Sequence, residues 1–341
     1  MENKLEQVFD QFTKNKQIHT ALCCVENSDG SFSWGKNYGE RTYHTSFVIA
    51  SITKLFTTAC VFRCVQNKIL TLEEPIVTYL GEEQMRGIHV YKGVDYSSSL
   101  TVSHLLLQSS GFADEFEETI SKQKRLELLK NATYSFEEEV ANAKLLKAHF
   151  APCKDKAFYA NLNFDLLGKI LENITGKPLA TIYQEYITVP LGLTSTYLYE
   201  SEEEHIACVY YKNELINLSK ALAHSYASGG IVSNARDIMV FLKAFFQGKL
   251  FDPSILEKYR NYRKLQFTMG PINYGAGYMQ IPLKGTLTGF RNKGELVGHT
   301  GSTGCFAFYY PKKDLYFVGD TCQMTNPALP IRLLLKLVCS V

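Results

Sequence analysis

Several things are missing from this 341-residue sequence, and each absence removes a class of protein. No stretch approaches the roughly 20 consecutive apolar residues of a membrane span. The greasiest one, Ile49 to Val65, is interrupted by Ser, Lys, Thr and Arg. The N-terminal segment MENKLEQVFDQFTKNKQ is polar and has neither the apolar core nor the small-residue cleavage site of a secretory signal. There is no basic run and no basic stripe interleaved with aromatics, and the formal net charge is only +2, which argues against a nucleic-acid partner. Metal-ligand spacing is absent as well: the eight histidines form no HExxH pair and the nine cysteines no zinc-finger pattern. An odd number of cysteines scattered through apolar runs is no disulfide framework. Cys60 and Cys64, four apart on an expected helix, read as buried small hydrophobes. No Gly-x-Ser-x-Gly elbow or P-loop occurs, and Gly275-Ala276-Gly277 lacks the third glycine of a dinucleotide fingerprint. The expectation is a chain without metal or cofactor, without a membrane span, residing in a reducing cytoplasm.

What is present reads as ordinary globular protein, with 45% hydrophobic and 21% charged residues, long enough for two subdomains around shared core. Leu5, Val8, Phe9 and Phe12 line one face of a first helix. His19 to Glu26 and Ser31 to Tyr38 read as strands around the turn Asn27-Ser28-Asp29-Gly30. Ser51 to Leu70 is strongly helical. From about Thr71 to Ser225 helices and loops dominate, with helical patterns at Leu100 to Leu107, Lys122 to Leu129, Phe164 to Ile174 and Leu179 to Tyr186. Ser233 to Phe246 is a helix capped by Ser233 or Asn234. Four β-like segments follow, Tyr274 to Ile281, Glu295 to Thr300, Cys305 to Tyr310 and Leu315 to Asp320, and then a last helix, Leu329 to Val338. The order predicts an α/β fold: an antiparallel sheet flanked by helices and built from both chain ends (1–70 and 225–341), with an inserted mainly helical domain (71–224).

Three short patterns carry chemistry. Ser-x-x-Lys occurs at Ser33/Lys36, Ser51/Lys54 and Ser121/Lys124. Strand alternation puts the first pair on opposite faces, and the third heads a charged, solvated stretch. Ser51 alone opens an apolar helix. There a spacing of three brings hydroxyl and amine onto one face, the helix N-terminus favours a developing oxyanion, and burial disfavours the ammonium form of Lys54. Tyr159-Ala160-Asn161 precedes the helix near Phe164; a loop phenol beside a lysine can pass protons, and Asn161 offers a donor and an acceptor to a substrate amide. Gly298-His299-Thr300-Gly301-Ser302 ends a strand that can receive an extended substrate. Thr300 offers a hydroxyl to a substrate carboxylate, and the Ser302 N–H could join that of Ser51 as an oxyanion hole.

In this order the three elements resemble the class C β-lactamase and D-alanyl-D-alanine carboxypeptidase family of penicillin-binding proteins, marked by Ser-x-x-Lys, Tyr-x-Asn and Lys- or His-Thr-Gly. The segments between them are similar too: Leu105-Leu106-Leu107-Gln108-Ser109-Ser110-Gly111, Asn161 to Lys177, Ala227 to Ser233 with Ala235-Arg236-Asp237, and Tyr274-Gly275-Ala276-Gly277-Tyr278. The resemblance implies a β-lactamase/transpeptidase-like fold and a serine hydrolase. Ser51 would be the nucleophile, Lys54 and Tyr159 the general acid/base pair, and Asn161, His299, Thr300, Gly301 and Ser302 the substrate-binding residues. The substrate would be a small molecule or peptide carrying an acyl group, such as a β-lactam or a D-amino-acid peptide. Two departures qualify this. His299 stands where dedicated β-lactamases of the group usually carry lysine; a partly charged imidazole would grip a substrate carboxylate weakly and with pH dependence, and Arg291 is a candidate for the missing charge. The absent signal does not suit a cell-wall enzyme and leaves room for a cytosolic esterase or D-amino-acid amidase. A penicillin-binding sensor that acylates with little turnover is the alternative from another class.

Overall fold

The computed structural model describes residues 1–118, 135–200, 208–223, 225–285 and 292–341. Helix α1 (Glu2–Thr13) buries Leu5, Phe9 and Phe12, the face that the apolar spacing marks. Strands β1 (Ala21–Asn27) and β2 (Ser33–Tyr38) form the expected hairpin. The C-terminal part adds β3 (Arg263–Lys264), β4 (Asn273–Gly275), β5 (Tyr278–Pro282), β6 (Glu295–Thr300), β7 (Cys305–Tyr310) and β8 (Leu315–Asp320). Together they make one antiparallel sheet in the order β3-β4-β5-β6-β7-β8-β1-β2.

The two ends of the chain meet where β1 pairs with β8, from Leu22 opposite Asp320 to Asn27 opposite Leu315. β8 is buried along its whole length and β1 over its first five residues, so helices cover both faces of the sheet there. Buried Asp320 at the end of β8 pairs with Arg41 at 2.8 Å.

Five further helices matter to the site. They are α2 (Thr53–Gln66), α3 (Val102–Leu106), α4 (Phe136–Leu145), α5 (Leu162–Thr175) and α6 (Ala235–Phe246). A C-terminal helix, α7 (Ala328–Ser340), packs on α1 and on β7 and β8. α2 is buried nearly all round: no residue from Thr53 to Phe62 is exposed. Such a helix belongs at the centre of the molecule, between the sheet and the helical insertion. It contacts β5 and β6 on one side and α5 on the other.

Some expected elements take a different form. The expected helix from Ser51 begins as a 3-10 turn, Ala50–Ile52, and becomes α-helical at Thr53. Asn234 caps α6 by accepting the Asp237 N–H at 2.9 Å, whereas Ser233 belongs to the strand Ile231–Ser233. The helix from Leu179 continues beyond Tyr183 as a π-helical turn, Gln184–Thr188. The insertion also carries small hairpins, among them Cys208–Tyr211 with Glu214–Asn217, that the helix-and-loop reading missed. The helical pattern at Lys122 to Leu129 lies outside the described residues.

The segment read as one strand, Tyr274 to Ile281, is two strands joined at Ala276 and Gly277, both with positive φ (+49° and +77°). That is the geometry of a two-residue hairpin turn matching strand twist. It also brings the Gly277 carbonyl to the Thr58 hydroxyl of α2 at 3.1 Å. A Cβ on Gly277 would lie 2.3 Å from the Thr58 Oγ1 and 3.0 Å from a Leu106 methyl. Gly277→Ala therefore combines a left-handed backbone with overpacking against α2 and α3, and should cost about 2 kcal/mol. Urea unfolding should show a lower midpoint with an unchanged slope. A wild-type midpoint would mean that the turn does not press on α2 as described.

Candidate active site

The serine turn is set by strain and by two anchors. Phe47–Val48 pairs with Ile231–Ser233, and the Ile49 N–H donates to the Ile231 carbonyl at 3.0 Å. Ala50 then adopts φ +44°, a left-handed conformation costly for a residue with a Cβ. The Thr53 hydroxyl accepts the Ile231 N–H at 3.1 Å, so the chain is held before and after Ser51. Ser51 itself is half-buried, while its neighbours Ala50 and Ile52 are buried.

One turn on, Lys54 has no exposed surface. Its Nζ lies 2.7 Å from the Asn161 Oδ1, 2.7 Å from the Ser228 carbonyl and 3.3 Å from the Ser51 Oγ. The Tyr159 ring centroid is 5.0 Å away and that of Phe164 5.6 Å. An ammonium can donate to all three oxygens. A neutral amine gives its two N–H bonds to Asn161 and Ser228 and turns its lone pair to the Ser51 hydroxyl. The same heavy-atom arrangement thus holds the lysine before and after it takes a proton.

The Tyr159 segment is gripped at three successive amides. The Tyr159 N–H donates to the Gln266 Oε1 at 2.9 Å, Ala160 to the Gln108 Oε1 at 2.9 Å, and Asn161 to an Asp114 carboxylate oxygen at 2.6 Å. Gln108, fully buried, sits at φ +55°, another strained position spent on the site. The Tyr159 ring is buried between Lys54, Tyr274 (centroids 6.1 Å apart) and His299 (6.0 Å).

The end of β6 is stitched to the serine turn. Thr303 Oγ1 donates to the Val48 carbonyl at 2.8 Å, and Cys305 Sγ to that of Ile49 at 3.1 Å. At Gly301 a Cβ would fall 2.6 Å from the Ile49 carbonyl oxygen and 3.2 Å from the Ala50 Cβ; glycine is what lets the strand close on Ala50 and Ser51. Thr300, half-buried, already donates its hydroxyl proton to the Cys305 carbonyl at 3.0 Å. To donate to a substrate carboxylate it would have to release that bond. The Ser302 N–H, in the turn after β6, meets no acceptor among the described residues.

His299 departs from expectation. Its ring is fully buried and its Nδ1 donates to the Thr300 carbonyl at 2.8 Å, leaving Nε2 without a hydrogen-bond partner among the described residues. Burial, reinforced by the Lys54 charge, pushes its pKa down to about 3. The imidazole is neutral at every pH near neutrality, so the partly charged, pH-dependent grip on a carboxylate is not what this site provides. Arg291, the candidate for the missing charge, lies outside the described residues.

The structure thus brings Ser51, Lys54, Tyr159 and Asn161 into one cluster, with His299 on the far side of the Tyr159 ring and Gly301 against the serine turn. The rival Lys36 is a half-buried lysine 2.7 Å from both Glu6 and Asp10, and Ser121/Lys124 lies outside the described residues. Sequence reasoning missed four contributors: Gln108, Gln266, Asp114 and the Ser228 carbonyl. For Gln108 a signal existed, an uncharged polar residue closing the apolar run Leu105-Leu106-Leu107; the others lie in stretches with no periodicity. Among the described residues no three His, Cys, Asp or Glu are grouped to hold a metal ion. No described helix is long and apolar enough to cross a membrane.

The chain is 25% identical over 213 residues to the Monacolin J acid methylbutanoyltransferase of Aspergillus terreus, a match over 56% of this chain and 50% of that protein. It is 26% identical over 226 residues to Esterase EstB of Burkholderia gladioli, covering 62% and 55%. The chain spans about half the length of these curated relatives. In fold it is similar to the D-amino acid amidase of Ochrobactrum anthropi SV3, with TM-score 0.81, 19% identity, and 99% of this chain and 97% of that one covered. The family model described as Beta-lactamase matches residues 5–329, nearly the whole length, and the chain belongs to that family.

Proposed function

We propose that this protein is a serine hydrolase that forms an acyl-enzyme on Ser51 and cleaves the amide or ester bond of a small acyl substrate. The observation that carries the reading is the placement of the Lys54 amine. It is buried, held by two carbonyl oxygens, and aimed at a half-exposed serine hydroxyl. Ser51 Oγ attacks the substrate carbonyl while its proton passes to Lys54, with the Tyr159 phenol beside it. The oxyanion develops where the amides of Ser51 and Ser302 can receive it. As the tetrahedral intermediate collapses, Tyr159 hands a proton to the departing amine or alcohol and takes in its place the one that Lys54 received from Ser51. Water then attacks the acyl carbonyl, returning Ser51 and releasing the acid.

Substrate class follows from what the strand offers. β5 pairs with β6 only as far as Met279 opposite Gly298, so the backbone beyond Gly298 has no strand partner on that side and offers an edge to an extended substrate. The Asn161 side-chain NH₂ donates to no described residue and is available to a substrate carbonyl. His299 brings no positive charge, which favours neutral esters and amides over carboxylate-bearing ones. Enzymes named as an esterase, a methylbutanoyltransferase and a D-amino acid amidase among its relatives and structural neighbours accord with acyl chemistry on ester and amide bonds.

Mass spectrometry after exposure to an activated ester, a D-amino-acid amide or a chromogenic β-lactam should show one acyl adduct on Ser51, and none in Ser51→Ala. Absence of an adduct with all three donors would end this reading. Tyr159→Phe should slow acylation by at least about a hundredfold, the scale on which a general acid/base is lost; a rate close to wild type would remove the phenol from the mechanism. Because burial keeps His299 neutral down to about pH 3, His299→Gln should leave any inflection of kcat/KM between about pH 5 and 8 where it was. Disappearance of that inflection in the variant would show that the imidazole titrates after all.

A further inference from the structure

Each of the two carbonyl acceptors of Lys54 is held in turn by a carboxylate. Asn161, whose Oδ1 accepts from Lys54, has its backbone N–H bound to Asp114 at 2.6 Å. Ser228, whose carbonyl accepts from Lys54, has its backbone N–H bound to Asp165 at 2.9 Å. Asp165 is one helical turn beyond Asn161 on α5, buried, and within the field of the Lys54 charge. Glu139 of α4 hydrogen-bonds Asp165 from the other side and faces Asp114 as well. A buried cation and three carboxyl groups therefore share one small volume behind the serine, and none of the three carboxyls took part in the chemistry described above.

We propose that Asp165, supported by Glu139, is the positioning residue that sets the charge of Lys54, acting through the Ser228 peptide and through its own field. The inference rests on the serine-hydrolase reading for its catalytic meaning, although the charge coupling itself does not depend on it. Neither oxygen of the lysine cage is loose, because each belongs to a residue whose backbone N–H ends on a carboxylate. An ionised Asp165 stabilises the ammonium, and a neutral one releases the proton of Lys54 more easily.

The titration of the cluster fits this arrangement. Burial, together with Asp165 and Asp114 nearby, pushes the Glu139 carboxyl well up, so that it keeps its proton and can donate to Asp165. Burial pushes Asp165 up to about 7, against the opposing pull of Lys54 and the Ser228 N–H. A carboxyl within the field of the lysine is thus held above the ordinary carboxylate range. Other titratable groups around the pair are the phenols of Tyr183 and Tyr226, both raised by burial and so neutral, and Glu172 beyond Tyr226. On the opposite side Lys54 faces the Tyr159 ring and neutral His299.

The test reads Lys54 directly. With lysine labelled at 13Cε, the Lys54 signal is assigned by its loss in Lys54→Arg and followed against pH in the full chain. In Asp165→Asn the midpoint should fall by about one pH unit, because the amide keeps a hydrogen bond but not the charge. Glu139→Ala removes the proton donor that keeps Asp165 ionised and should move the midpoint in the same direction, whereas Glu139→Gln retains an N–H donor and should stay near wild type. Where acylation is measurable, the acidic limb of its pH profile should move in the same two variants and stay in place in Glu139→Gln. A Lys54 midpoint unmoved in both Asp165→Asn and Glu139→Ala would overturn the inference. Should Asp165→Asn fail to fold, the contrast between the two Glu139 variants decides alone, since that side chain is only partly buried. If midpoints move while Ser51 never acylates, the coupling stands and the proposed function falls.

Discussion

An amino group taken out of water must find acceptors for its protons or give one up, and Lys54 is placed where the same atoms meet either outcome. Much of the surrounding architecture follows from that demand. α2 must be buried on all sides over its first turns for Lys54 to lie in the interior. The acceptors must come from elsewhere, and they do: Asn161 from the start of α5 and Ser228 from the turn before Ile231–Ser233. Neither could be left loose, since an unheld acceptor would leave the ammonium buried without compensation. Asp114 and Asp165 hold them.

Part of the backbone strain falls in the same neighbourhood. Ala50, Gln108 and Tyr226 all take positive φ, immediately before the serine, at the residue that grips Ala160, and two residues before Ser228. Each conformation costs energy that the rest of the molecule must offset, and the buried sheet with its helices on both faces is what offsets it. On the sheet side, contacts of Thr303, Cys305 and Gly301 with residues 48–50 tie β6 and β7 to the serine turn, so that strand and nucleophile move as one body. His299 belongs to this buried framework: excluded from water and placed near a cation, an imidazole cannot hold a second charge.

Local pattern revealed most of the long elements. The bounds of β6, β7 and β8 coincide with their alternating or apolar runs, and α5 and α7 differ from expectation by only a few residues, because in these segments burial and periodicity agree. The hairpin at Ala276-Gly277 was hidden because two strands separated by so short a turn look like one apolar run, and Ala-Gly is a weak turn signal beside Asn-Gly. The short strands at 47–48, 197–198 and 231–233 were equally invisible: two or three residues cannot show a period, and they exist because distant partners supply their hydrogen bonds. Gln266 and Asp114 gave no hint of their tasks for the same reason.

By itself the sequence determined which chemical groups exist and which of them could be neighbours along one helix: a hydroxyl three positions before an amine, a phenol two before an amide, and a strand ending in small residues. Those relations are local, and chain geometry enforces them wherever the segments fold. Tertiary structure alone decided the environment of each group. Burial made His299 neutral, turned Thr300 towards a main-chain carbonyl, and set carboxylates behind both acceptors of Lys54. Charge state depends on solvent exclusion and on neighbours far off in the chain, and these come into being only when the sheet closes and the helical insertion packs against it.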